Sequence, residues 1–149
     1  MQCATTPGVR MQTDNSHKSS VDEAFQQGVD AIGQGKLRKA LACFNRACAV
    51  VKPKTRHQLY QAWTTYYVTA HDSQCTKEEK LRVQSSCRLL MIRALLNDKR
   101  FDAGYVLLGT IFLEEAKSDI ARECFLKALS INSKNAGAHK GLKICEAKR

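Results

Sequence analysis

Residues capable of chemistry are present in this chain, but their spacing does not assemble them into a site. His71 and Cys75 stand four apart and would share a helix face. Two ligands do not make a zinc site, and no Cys-x2-Cys or His-x3-His spacing completes one. Glu78-Glu79 and Glu114-Glu115 are adjacent carboxylates, which a helix points in different directions. Gly28, Gly33 and Gly35 lack the Lys-Ser/Thr that follows a phosphate loop. The four histidines lie outside any Ser–His–Asp or Cys–His signature. These patterns predict no catalytic residue, no metal and no cofactor, and the chain is not read as an enzyme.

Seven cysteines is an odd number. Cys43, Cys48, Cys87, Cys124 and Cys145 fall within helical patterns, and Cys87 takes a small-residue packing place. A secreted disulfide scaffold needs paired spacings in loops, which are absent. A reducing cytoplasm is expected, with Cys3 and Cys75 as exposed thiols. The 149 residues are 44% hydrophobic and 26% charged, the balance of one globular domain. No apolar run reaches the roughly 18 residues of a membrane span, and none follows Met1 as a signal peptide would.

The elements that position these residues are helical. Apolar residues recur at three and four, and proline occurs only at Pro7 and Pro53. Tyr105, Leu108, Gly109 and Phe112 share one face of a first helix; Ala121, Phe125 and Ala128 share one face of a second. Ala40, Phe44 and Ala47 repeat that spacing 81 residues earlier, with Gly28 at the small place of the preceding helix. Its large places are thin, because Ala24, Gln27 and Ala31 occupy them; Phe25, one place along, fills part of the space. Between these copies, Tyr60, Trp63 and Tyr67 mark a first helix, and Cys87, Met91 and Ala94 a second.

Large, large, small, large, then Ala-x3-Phe, resembles the tetratricopeptide repeat (TPR), a helix–turn–helix unit of 34 residues. Repeats start at Val21, near His57 and at Asp102, and a closing helix starts at Ala136. The middle copy is eleven residues too long, about three helical turns. The surplus is placed in 69–79, where it should project beyond the solenoid edge, with Thr76 and Glu79 as a capping box. The resemblance implies an all-α, right-handed superhelical TPR solenoid of antiparallel helix pairs over 21–149, with a C-terminal capping helix. Residues 1–20 read as a flexible tail or linker, with Ser19 or Ser20 capping the first helix. Gly109 and Ala121 are expected to face each other at the closest helix approach. The elongated middle repeat is also similar to C-terminal TPR modules of bacterial J-domain and response-regulator proteins.

The net charge is +10. The first helices, 21–33, 57–69 and 102–115, hold no Lys or Arg, whereas the second helices and their flanks hold many, among them Arg46, Arg82, Arg88, Arg93 and Lys127. First helices line the concave groove of a TPR domain, so the resemblance implies a neutral-to-acidic groove and a basic back. The groove is expected to comprise Phe25, Val29 and Ile32, then Gln58, Gln61 and Thr65, then Val106, Thr110 and Leu113. This apolar surface with a few amides and hydroxyls suits a peptide or helix with spaced apolar anchors. TPR domains that bind acidic chaperone tails use a carboxylate clamp; the matching places here are Phe25, Val29, Ala62, Ala103 and Leu107, none able to pair a carboxylate. The expected function is therefore a scaffold or adaptor for a protein or peptide, with a second copy of the chain as a further candidate occupant. The alternatives are a basic adaptor for nucleic acid or an anionic membrane surface, and a secretion-type chaperone. No aromatics interleave the basic residues, so no stacking platform for single strands is expected.

Overall fold

The three-and-four periodicity is realised as seven α-helices, with no strand among the described residues. The computed structural model of the protein describes residues 6–148, with side chains from Ser20 onward. Cys3, Arg149 and the side chains of 1–19 therefore lie outside the described residues. In chain order the helices are α1 Thr6–Gly33, α2 Leu37–Cys48, α3 Thr55–Ala70, α4 Lys77–Asn97, α5 Asp102–Glu114, α6 Ser118–Ile131 and α7 Ala136–Ala147. Ser19 and Ser20 lie within α1 and do not begin it. Between Gly8 and Gly28 no proline or glycine interrupts the helix. The chain packs as two compact units, Met1–Pro53 and Lys54–Arg149.

The first unit is the α1–α2 hairpin. Its buried residues are Ala24, Gly28 and Ala31 on α1 and Ala40, Cys43, Phe44 and Ala47 on α2. Gly28 lies flat on the Phe44 ring, where an added Cβ would stand 2.5 Å from Cε1. The turn closes at Gly35, whose φ of 74° suits glycine. The Lys36 amide then donates to the Ala31 carbonyl at 2.9 Å.

In the second unit the α5–α6 hairpin repeats this solution. Gly109 lies on Phe125, with an added Cβ 2.6 Å from its Cε1. The closest approach of Gly109 is thus to that ring and not to Ala121, because the large side chain seeks the space that the missing Cβ leaves. Gly141 of α7 leaves a second such space for the same ring. Ala121, Phe125, Ala128, Ala138 and Cys145 form the buried cluster under α7. The turn places Ala116 at φ 60° where the first hairpin has Gly35, and the Lys117 amide donates to the Phe112 carbonyl at 2.8 Å.

The α3–α4 hairpin differs. The surplus length goes into the helices, which have 16 and 21 residues against 13 and 14 in α5 and α6. The capping box forms as expected: the Glu79 amide donates to Thr76 Oγ1 at 3.2 Å, and the Thr76 amide donates to Glu79 Oε2 at 2.8 Å. Thr64 and Met91 stand at the glycine and phenylalanine places, each fully buried. Tyr66 and Arg88 reach Glu115 in the α5–α6 turn, so the segment between them extends past the level of that turn. Gly104 brings α5 close to its neighbours; an added Cβ there would stand 2.7 Å from Leu95 Cδ2 and 3.0 Å from Leu59 Cδ1.

Candidate functional site

The nine residues expected to line a groove have different neighbours. In the first unit, Phe25, Val29 and Ile32 are all half-buried on α1. The Phe25 ring lies 5.7 Å from that of Phe44, so it packs into the hairpin core. Ala24 and Ala31 leave the seam thin, and the phenyl ring one place along fills it.

In the second unit, Gln58 and Gln61 line a cleft of about 260 Å³ with Thr55, Leu90, Arg93, Ala94 and Asn97. They face the α4 side of their hairpin. Thr65 donates its hydroxyl to the Gln61 carbonyl at 2.7 Å. Val106 and Leu113 are half-buried against the Phe125 cluster, and α7 approaches Val106 so closely that a Cβ on Gly137 would stand 3.1 Å from its Cγ1. Thr110 accepts a hydrogen bond from Trp63 Nε1 at 2.9 Å and donates to the Leu107 carbonyl at 2.7 Å.

That Trp63–Thr110 bond joins α3 to α5 and brings an aromatic pair into the site. The Trp63 and Tyr67 ring centroids are 4.8 Å apart, and both side chains are half-buried. The Tyr67 hydroxyl has its pKa raised, chiefly by burial and further by the Glu114 and Glu115 carboxylates, against a lowering interaction with Thr110. It stays protonated at neutral pH. The sequence treated these two aromatics only as packing residues. Their type was the available signal, since Trp and Tyr carry binding energy at interfaces.

Two polar networks brace this surface. Glu115 accepts from Tyr66 at 2.9 Å and Arg88 at 2.6 Å, with Lys117 at 3.4 Å. Burial works to raise its pKa, but the Tyr66 hydrogen bond, then Arg88 and Lys117, bring it below the usual carboxylate value. Arg88 is thus a structural tie, not a free charge on a basic back. Asp102 accepts from Asn135 at 2.8 Å and Asn132 at 3.0 Å, and Asn135 caps α7 through the Ala138 amide. Burial opposes ionisation of Asp102 too, but hydrogen bonds from Asn135 and Asn132 and then from backbone amides together hold its pKa down.

The first helices are also less free of basic residues than their expected bounds implied. Arg56 falls in the first turn of α3, where it meets Asp98 at 2.7 Å and covers the Phe101 ring at 4.4 Å. Cys75 is half-buried, and burial, then Asp72, raises its thiol pKa above the ordinary value. It is not an activated nucleophile. Among the described residues, no three His, Cys, Asp or Glu side chains cluster to hold a metal ion. No described helix is long and apolar enough to cross a membrane.

No protein-family model and no curated protein matches this sequence. Solved structures do. The chain is similar to the Arabidopsis OM64 TPR domain, with a TM-score of 0.64 and 15% identity over 89% of this chain and 99% of that one. It is similar as well to the first TPR of Spaghetti (RPAP3) bound to the HSP90 peptide SRMEEVD, with a TM-score of 0.61 and 16% identity over 87% of this chain and 94% of that one. The fold is therefore of the TPR type: all-α, built of antiparallel helix pairs and closed by a C-terminal helix.

Proposed function

We propose that this chain is a protein-interaction module, a scaffold or adaptor that receives a peptide or helix on the α3–α5 face of its second unit. The observation that carries the proposal is the Trp63–Thr110 bond. It sets two half-buried aromatics beside hydroxyl groups on helices whose one basic side chain, Arg56, is engaged elsewhere. Such a surface offers apolar anchoring with a few directional polar contacts.

The ligand is proposed to be apolar-anchored and not an acidic tail. One structural neighbour holds SRMEEVD, a peptide with acidic residues. Here Phe25, Val29, Ala62, Ala103 and Leu107 occupy the places of a carboxylate clamp, and none supplies a cation.

A peptide-phage selection on the full chain tests this. Selected peptides should carry spaced apolar residues, and their binding should be lost in the Thr65→Arg variant and kept in Lys127→Glu, an exposed position of α6. Binding should change little with salt. Steep salt weakening with loss in Lys127→Glu would instead favour the basic-surface reading for nucleic acid or an anionic membrane.

A further inference from the structure

Helix α4 is apolar on two sides. Cys87, Met91, Ala94 and Leu95 face the core. Leu81, Leu89, Ile92 and Leu96 stay 56%, 49%, 39% and 64% exposed. Spacings of eight, three and four put these four side chains in one stripe, about 22 Å long at 1.5 Å per residue. Ser85 interrupts the stripe and Glu78 stands at its N-terminal end. The hairpin packs without this second apolar face, which leaves contiguous aliphatic surface in water.

Charge edges the stripe. Arg82 and Arg93 follow it on one side, and both are exposed. Among the described residues no carboxylate pairs with either. On the other side Arg88 is held by Glu115 and Ser85.

We propose that this stripe docks an amphipathic helix of a partner protein, one whose leucine-spaced face is edged with carboxylates. Three-and-four spacing on a straight helix suits side-chain interdigitation with another helix. Arg82 and Arg93 select acidic flanks. A second copy of this chain is disfavoured, because it would set a basic helix against its like in a protein of net charge +10. An anionic bilayer is disfavoured too, because the stripe is narrow and carries none of the Trp or Phe that seat interfacial helices. The surface is separate from the α3–α5 face, so either assignment can fail alone.

Two synthetic peptides of about twenty residues test the proposal, long enough for five helical turns. Both carry leucine at three-and-four spacing, one flanked by glutamate and the other by lysine. In fluorescence anisotropy the glutamate peptide should bind the full chain, and the lysine peptide should not. Leu89→Glu with Leu96→Glu should weaken binding at least about tenfold, with the far-ultraviolet circular dichroism unchanged because both positions are exposed. Arg82→Glu with Arg93→Glu should reverse the preference. Equal binding of both peptides, or binding unchanged by the leucine variants, overturns the proposal. So does sedimentation as a dimer that the leucine variants abolish, or capture of the chain by phosphatidylserine vesicles without peptide binding.

Discussion

The α5–α6 and α3–α4 hairpins meet the same packing requirement by different means. In α5–α6 a phenylalanine ring lies on bare backbone, with Gly109 on one side and Gly141 of α7 on the other. In α3–α4 a threonine and a methionine hold the equivalent places. Methionine is unbranched and adapts to an irregular space, so it needs no glycine opposite. The first arrangement allows close approach and short helices. The second lets its helices run on, and α4 carries exposed leucines that no counterpart requires. Tight packing belongs to the hairpin under the closing helix, and more of the exposed apolar surface to the elongated one, whose α4 exposes Leu81, Leu89, Leu90, Ile92 and Leu96 where α6 exposes Ile120 and Leu126.

Truncating the two central side chains probes this difference most strongly. Phe125→Ala should cost about 3–5 kcal/mol, and Met91→Ala about 2–5 kcal/mol at the lower end, measured by urea unfolding. Equal losses would break the comparison. Next, Gly109→Leu should cost roughly 1–3 kcal/mol or more through overpacking on Phe125. Thr64→Ala should cost less, since its hydroxyl bonds only to the Tyr60 carbonyl within its own helix.

The tie between the hairpins has a pH signature. The native pKa of Glu115 is depressed, so its stabilisation is present above the unfolded carboxylate pKa and is lost as pH falls through the native value. Glu115→Gln should lower stability at neutral pH by about 1–3 kcal/mol, because Arg88 loses its charged acceptor. It should also flatten the acid limb of a Tm-against-pH curve. An unchanged limb would show that the tie contributes nothing. The smallest effect lies in the turns. Ala116→Gly should gain and Gly35→Ala should lose about 1 kcal/mol each, because both positions adopt positive φ.

Repeat spacing made the helix pairs readable, since it fixes which residues share a face. The Thr76 capping box follows from local pattern alone, whereas Gly109 was expected against Ala121 and meets the Phe125 ring, which takes the space its missing Cβ leaves. The site was less readable. Phe25 also packs against Phe44, because Ala24 and Ala31 leave room there. Gln58 and Gln61 turn toward α4, and Val106 lies under α7; neighbours decide such outcomes, and one helix's periodicity does not specify them. Arg88 looked like any surface arginine until the fold brought Glu115 to it. The exposed leucines of α4 were hidden by composition, as an apolar residue in sequence shows no sign of which face is already filled.

Chemical-shift mapping of the full chain with a selected peptide tests the central claim most directly. Perturbations should concentrate on Trp63 Nε1, Thr65, Tyr67 and Thr110. Perturbations confined to Arg46, Arg122 and Lys127 on the second helices, with the Trp63 indole signal unmoved, would contradict it.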